Sequence, residues 1–357
     1  MKFLYQIHNV GIYLDDDDDS AWGKLIQTNI KIQFDGFEIY KDAQKIEYSL
    51  IIKNIDELNK REDAIVVPEC SYFYPEGTMR SEYLNVAYRI DDKNVFMWTN
   101  DNTWYAQYLL EILFQKQGIT FVHGASVSVD NTEGKLLLAF GGIGKTCFIA
   151  SAMNKERVSL LGDDLILVSE NGELYSYPRP FCLYEYHKEL FPQFFTTHKV
   201  NFVHIEEKMY FKRIIRRIKM MLHIKDNNVY SFFPVSPIRL FPKKKMQINP
   251  VKLIDIHVLR RNQKYDEVAI SNIITPEQAA NFAIDVILHE WDVGLKIILN
   301  RHAQTFKNID EYIKCRYEIL YKAFCKAKNI NCVEIPENLS ATNVSKALNT
   351  IILRGLD

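Results

Sequence analysis

No stretch of this chain runs for about eighteen uncharged apolar residues, the length a helix needs to cross a bilayer, so no transmembrane span is expected. The opening residues, MKFLYQIHNVGIYLDDDDD, have one early lysine and reach an aspartate run before any signal-peptide core develops. The cysteines (Cys70, Cys147, Cys182, Cys315, Cys325, Cys332) include no CxxC pair, which argues against a zinc site or a disulfide framework and for a reducing compartment. Net charge is −1, so no global field draws the chain to nucleic acid or membrane. Internal repeats and low-complexity linkers are missing too. What remains is a globular chain, expected to be cytoplasmic, whose 357 residues suggest two domains or one large core with an added module.

The hydrophobic pattern changes along the chain. Residues 1–104 read as a β-rich module: IKIQFDGFEIY (30–40) and IEYSLIIKN (46–54) alternate with period two, and VAYRIDDKNVFMWTN (86–100) reads as a hairpin turning at Asp91–Asn94. The Asp15–Asp19 run reads as a solvated loop, since unspaced like charges lack ligand geometry. A helix is expected from Trp104 to Gln117, stopped by Gly118. Residues 105–300 then form the expected core, and 301–357 a helical C-terminal extension. In the core, strands are expected over 119–129, 135–140, 158–162 and 253–261, with a hairpin over 165–177. Thr275 is placed as the N-cap and Pro276 as the first residue of a late helix. The fold class is therefore α/β.

Between strand and helix lies LLAFGGIGKT (137–146), a phosphate-loop pattern whose first glycine is replaced by Ala139. Gly141, Gly142 and Gly144, with Ile143 between, let backbone N–H groups turn inward around an anion. Lys145 is positioned to reach terminal phosphates, and Thr146 to offer its hydroxyl to Mg²⁺. Ala139 falls at the strand exit, where a small side chain is tolerable. Eighteen residues after Lys145 comes the pair Asp163-Asp164, at the carboxyl end of a neighbouring strand. Successive side chains alternate, so the two carboxylates take different roles. Gly-Asp-Asp is also good turn chemistry. His123, on the strand before the loop, is either a packed core residue or a hydrogen-bond partner of that pair.

VHGASV (122–127), AFGGIGKT (139–146) and LLGDD (160–164), in this order and spacing, resemble the catalytic core of the HPr kinase/phosphorylase family. The likeness extends to its smaller relatives in lasso-peptide gene clusters and spans roughly residues 119–300. It implies a mixed-sheet nucleotide fold related to phosphoenolpyruvate carboxykinase, with ATP and Mg²⁺ as cofactors. It also implies that His123 contacts the catalytic aspartate, that Asp163 is the base toward an acceptor hydroxyl, and that Thr146 and Asp164 lie on the metal side.

The Glu-Ile-Arg-Gly-Leu-Gly run of HPr kinases is absent, and YPRPFCLYE (177–185) stands in its place. Arg179, stiffened by two prolines, can meet a phosphate or a carboxylate. Glu185 is a weak stand-in for the family's metal-side glutamate. KMYFKRIIRRIKMMLHIK (208–225) reads as a basic helix, either a solvated face or an anion-capturing segment in which Arg213, Arg216 or Arg217 meets the transferring phosphoryl group. The expected function is Mg²⁺-dependent phosphoryl transfer from ATP to a hydroxyl of a small molecule or peptide. A nucleotide-binding regulatory or assembly protein is the alternative. Nucleic acid is not an expected partner, and self-association is left open.

Overall fold

The structure is a computed structural model that describes residues 1–357 except 17–19, 42–44, 59–63, 68–70, 83–84, 199, 203–228, 231, 291–308 and 357. The basic segment expected at 208–225 and most of the aspartate run lie outside the described residues. Of that run, Asp15 pairs with Lys53 at 2.5 Å. No helix among the described residues is long and apolar enough to cross a membrane.

The chain is mixed α/β. Its first sheet has the order β1-β2-β3-β8-β7-β6-β5-β4. These strands are β1 (Lys2–Ile7), β2 (Val10–Leu14), β3 (Tyr48–Lys53), β4 (Ile65–Val67), β5 (Ser71–Phe73), β6 (Met79–Ser81), β7 (Val86–Ile90) and β8 (Asn94–Thr99). β2, β3 and β8 run parallel, so the connection from β2 to β3 must cross over, and helix α1 (Ala21–Phe34) makes it. Here the strand expected at 30–40 is corrected, because those residues form the end of α1 and a 3₁₀ turn, Asp35–Tyr40. Ser20 caps the helix by accepting from the Gly23 N–H at 2.9 Å, and Ile26, Ile30 and Phe34 recur every fourth residue and are all buried. The alternation of IKIQF is a fragment of that longer helical period.

Helix α2 (Ala106–Gln115) leads to the second sheet; it ends two residues before the expected Gln117, and Gly118 follows in the left-handed region (φ +68°). The sheet is built from β9 (Ile119–Val129), β10 (Glu133–Leu138), β11 (Val158–Gly162), β12 (Leu165–Ser169), β13 (Glu173–Tyr175), β18 (Val251–Arg261), β19 (Ala269–Ile273) and β20 (Asn329–Ile335). Pairing runs β10-β9-β12-β13-β18, and β10 also pairs with β18 in parallel, so these five strands close on themselves. β20 continues from β18 in parallel, with β19 at the edge. Between β13 and β18 come the small pairs β14 (Phe181–Leu183) with β17 (Phe233–Val235) and β15 (Asn201–Phe202) with β16 (Val229–Tyr230). Helices α3 (Lys145–Ala152), α4 (Pro192–Thr197), α5 (Pro237–Leu240), α6 (Pro276–Glu290), α7 (Ile309–Phe324) and α8 (Ala341–Ile352) complete the described elements.

The extension expected to be helical over 301–357 does carry α7 and α8, with α8 packed on α3, and it also adds β20 to the core sheet between β18 and the edge strand β19. NINCVEI is buried along most of its length, and a short strand buried on both faces carries no alternation to separate it from its helical neighbours. The N-terminal sheet shares its core with the second sheet and the segment after β13. Phe37 meets Tyr177 edge-on with centroids 4.8 Å apart, and His8 Nε2 donates to the Ser176 carbonyl at 2.9 Å.

Candidate functional site

β10 ends at Leu138 and α3 begins at Lys145, so the six residues between make the loop. Gly142 (φ +74°) and Gly144 (φ +125°) take backbone angles that side chains disfavour. A Cβ on Gly144 would also fall 2.6 Å from Val344 Cγ1 of α8. Ala139 shows no positive φ and is fully buried, so its position does not demand glycine. Its carbonyl accepts from Lys145 Nζ at 2.6 Å, and the Phe140 carbonyl does so at 3.0 Å. The missing glycine is therefore a tolerated change at the strand exit. Ile143 packs partly buried against the core cluster containing Phe148 and Val344.

Antiparallel pairing of β9 with β12 sets His123 opposite Leu165, beside the aspartate pair. The adjacent carboxylates diverge, as alternation requires. Asp163 is buried; its Oδ2 accepts from Thr146 Oγ1 at 2.7 Å, and its Oδ1 has no hydrogen-bond partner among the described residues. Asp164 takes a left-handed backbone (φ +77°) and turns toward Arg179 Nη1 at 2.8 Å and His123 Nδ1 at 3.4 Å. Arg179 thus meets a carboxylate, held between Pro178 and Pro180 on a buried segment.

This reverses one expected contact: the aspartate that His123 meets is Asp164, and the one beside the Thr146 hydroxyl is Asp163. The positive φ at Asp164 is the physical reason, since it swings that side chain back toward β9. Electrostatics separates the pair further. Burial pushes the Asp163 carboxyl up to about 6, the Thr146 hydrogen bond opposing and the Asp164 charge adding. Burial also opposes ionisation of Asp164, but Arg179, His123 and Lys145 outweigh it and hold that carboxyl below its ordinary value.

One carboxylate comes from outside the motif. Glu290, the last residue of α6, accepts from the Gly141 N–H at 2.5 Å and lies 2.9 Å from His123 Nε2. It is drawn down to about 2, burial being overcome by hydrogen bonds from His123 and Gly141 and by the Lys145 charge. Lys145 Nζ itself stands 3.1 Å from His123 Nε2. The sequence held one signal for Glu290: it continues the buried stripe Ala279, Ala283, Val286 of α6, where an acidic residue is out of place. Thr275 does cap that helix, accepting from the Gln278 N–H at 3.2 Å. Glu185, weighed as a metal-side glutamate, instead pairs with Lys188 at 3.0 Å and does not line the cavity.

His123, Lys145, Thr146, Asp163, Asp164 and Glu290 line a cavity of about 560 Å³, a size suited to a small-molecule ligand. Tyr184, Tyr186, His187, Ala341 and Val344 line it as well. Cys147 and Cys182 also face it, and burial raises both thiols to about 11, so they stay protonated. Among the described residues no group of three or more His, Cys, Asp or Glu side chains is arranged to hold a metal by itself. No protein-family model matches the chain, and no curated protein sequence matches it.

Proposed function

We propose that the chain is a phosphotransferase that moves the γ-phosphoryl group of ATP to an acceptor hydroxyl, on a core of the HPr kinase and phosphoenolpyruvate carboxykinase type. The observation that carries this reading is Asp163: a buried carboxyl with one unbonded oxygen and a raised proton affinity, hydrogen-bonded to the hydroxyl that follows the loop lysine. A general base works best when its pKa lies near the operating pH. Asp164, ion-paired with Arg179, is stabilised as an anion and is the poorer proton acceptor.

The Thr146 hydroxyl, its proton directed to Asp163 Oδ2, would offer its oxygen to Mg²⁺, a hard donor of the kind that ion takes. Both oxygens of Asp164, the expected metal-side residue, face Arg179 or His123 instead. An ion held there would supply neutralisation of phosphate charge. The loop N–H groups and Lys145 orient the triphosphate. The acceptor oxygen bonds to the γ-phosphorus as its proton passes to Asp163. The bond from that phosphorus to the bridging oxygen breaks, and ADP leaves. With YPRPFCLYE in place of the HPr-kinase signature, the acceptor is a metabolite or short peptide rather than HPr.

Glu290 favours a second reading, nucleotide-controlled regulation without transfer, because its carboxylate rests on an N–H of the loop and must move for phosphate to bind. Asp163→Asn separates the two. Under the transfer reading it keeps ATP affinity by titration calorimetry and loses about a hundredfold in turnover. Wild-type turnover in that variant would overturn the assignment.

A further inference from the structure

The cavity has a direction. Lys145 marks the end where β- and γ-phosphates lie, with His123, Asp163 and Glu290 around it. The loop N–H groups cradle the α- and β-phosphates, between Gly141, which Glu290 covers, and Gly144, which Val344 covers. A nucleoside joined to the α-phosphate must leave past these residues.

What stands there is aromatic and apolar. Val344 of α8 closes against Gly144, and Ala341 lies one helical turn before it. Facing them is the 3₁₀ turn Glu185–Glu189, tied to α8 by Thr342 Oγ1 donating to Glu189 Oε2 at 3.1 Å. This turn presents Tyr186, which is 50% exposed and lines the cavity. The ring lies nearly parallel to that of Tyr184 (4°, centroids 5.6 Å apart) and 4.2 Å from that of His187. A half-exposed ring backed by neighbouring rings gives up little entropy when a second flat ring settles on it.

We infer that Tyr186, backed by Tyr184 and facing Ala341 and Val344, is the subsite for the nucleobase of the bound nucleotide. The inference rests on the nucleotide reading of the loop and adds to it the residues that grip the base. Stacking tolerates any base, so the subsite distinguishes nucleotides from bare polyphosphate rather than one base from another.

The test is titration calorimetry on the full chain with MgATP and with magnesium tripolyphosphate, which shares the phosphates and lacks the nucleoside. Wild type should bind ATP the more tightly. Tyr186→Ala should weaken ATP about tenfold, the scale of one base stacked on one aromatic side chain, and leave tripolyphosphate unchanged. Tyr186→Phe should bind ATP as wild type does, and Tyr186→Trp at least as tightly, a result that misfolding cannot imitate. Equal loss for both ligands in Tyr186→Ala, or loss for neither, would overturn the subsite and leave the loop reading standing. Failure of wild type to bind either ligand would overturn both.

Discussion

Which of two adjacent carboxylates keeps its affinity for a proton decides the chemistry at the scale of single residues. Burial pushes the Asp163 carboxyl up to about 6, and its base form is the deprotonated one. Transfer should therefore rise with pH through about 6 and level off above it. Asp164 contributes to that elevation through its charge, so Asp164→Asn should move the limb to lower pH, whereas Asp163→Asn should remove it. A pH–rate profile of the three proteins checks this, and a limb that survives Asp163→Asn contradicts it. On the proposed reading Lys145 serves the phosphates. Its ammonium is held by the carbonyls of Ala139 and Phe140 along the path a triphosphate would take. Lys145→Ala should weaken MgATP tenfold or more, the effect of losing a charge-assisted hydrogen bond in a buried site. Unchanged affinity by calorimetry would rule out a phosphate loop at 139–146.

Elements differ in how much of their arrangement the sequence announces. The run β9, β10, loop, α3, β11, aspartate pair and β12 was legible because its members are consecutive in the chain, each with its own pattern and glycine punctuation. The hairpin at Asp91–Asn94 was legible for the same reason, and the Asp91 N–H does donate to the Asn94 carbonyl at 2.8 Å. Glu290 was not, since it reaches the loop from the end of α6, far along the chain and through tertiary packing. The turn at Gly-Asp-Asp was legible, but not that Asp164 is the residue that takes the left-handed φ, which the β11–β12 corner decides. The tie between α2 and α7 was equally hidden. Glu111 accepts from Arg316 Nε at 2.9 Å and Nη2 at 2.6 Å, from Thr120 Oγ1 at 2.6 Å and from the Tyr312 hydroxyl, all within the core. Burial disfavours the Glu111 charge, yet Arg316 and these donors hold its carboxyl below the ordinary value. Arg316→Leu leaves that charge buried and unpaired, and should cost about 3–5 kcal/mol. Urea denaturation of the variant measures it, and a loss below about 1 kcal/mol would mean the pair is dispensable.

Across the whole molecule, burial sets a pH limit on stability. His8, His187 and His257 are each pushed down to about 4 by desolvation, against an ordinary value of 6.5. Between these values the unfolded chain binds protons that the native one refuses. Stability is then full above 6.5 and falls as pH drops toward 4, by up to about 1.4 kcal/mol per pH unit for each histidine. Asp163 acts in the opposite sense between 6 and 3.8, because there the native state binds the extra proton. Three against one leaves a net loss, visible as a falling denaturation midpoint from about pH 7 to 5. A flat midpoint would mean that these histidines take up protons in the folded state. The activity itself is tested most directly by supplying γ-labelled ATP and Mg²⁺, with a pool of metabolites and short peptides, to wild type and to Asp163→Asn. Phosphoryl transfer through Asp163 predicts label on an acceptor with wild type, and none above background with the variant while it still binds ATP. Equal labelling by both proteins, or no labelling by a wild type that binds ATP tightly, would contradict it.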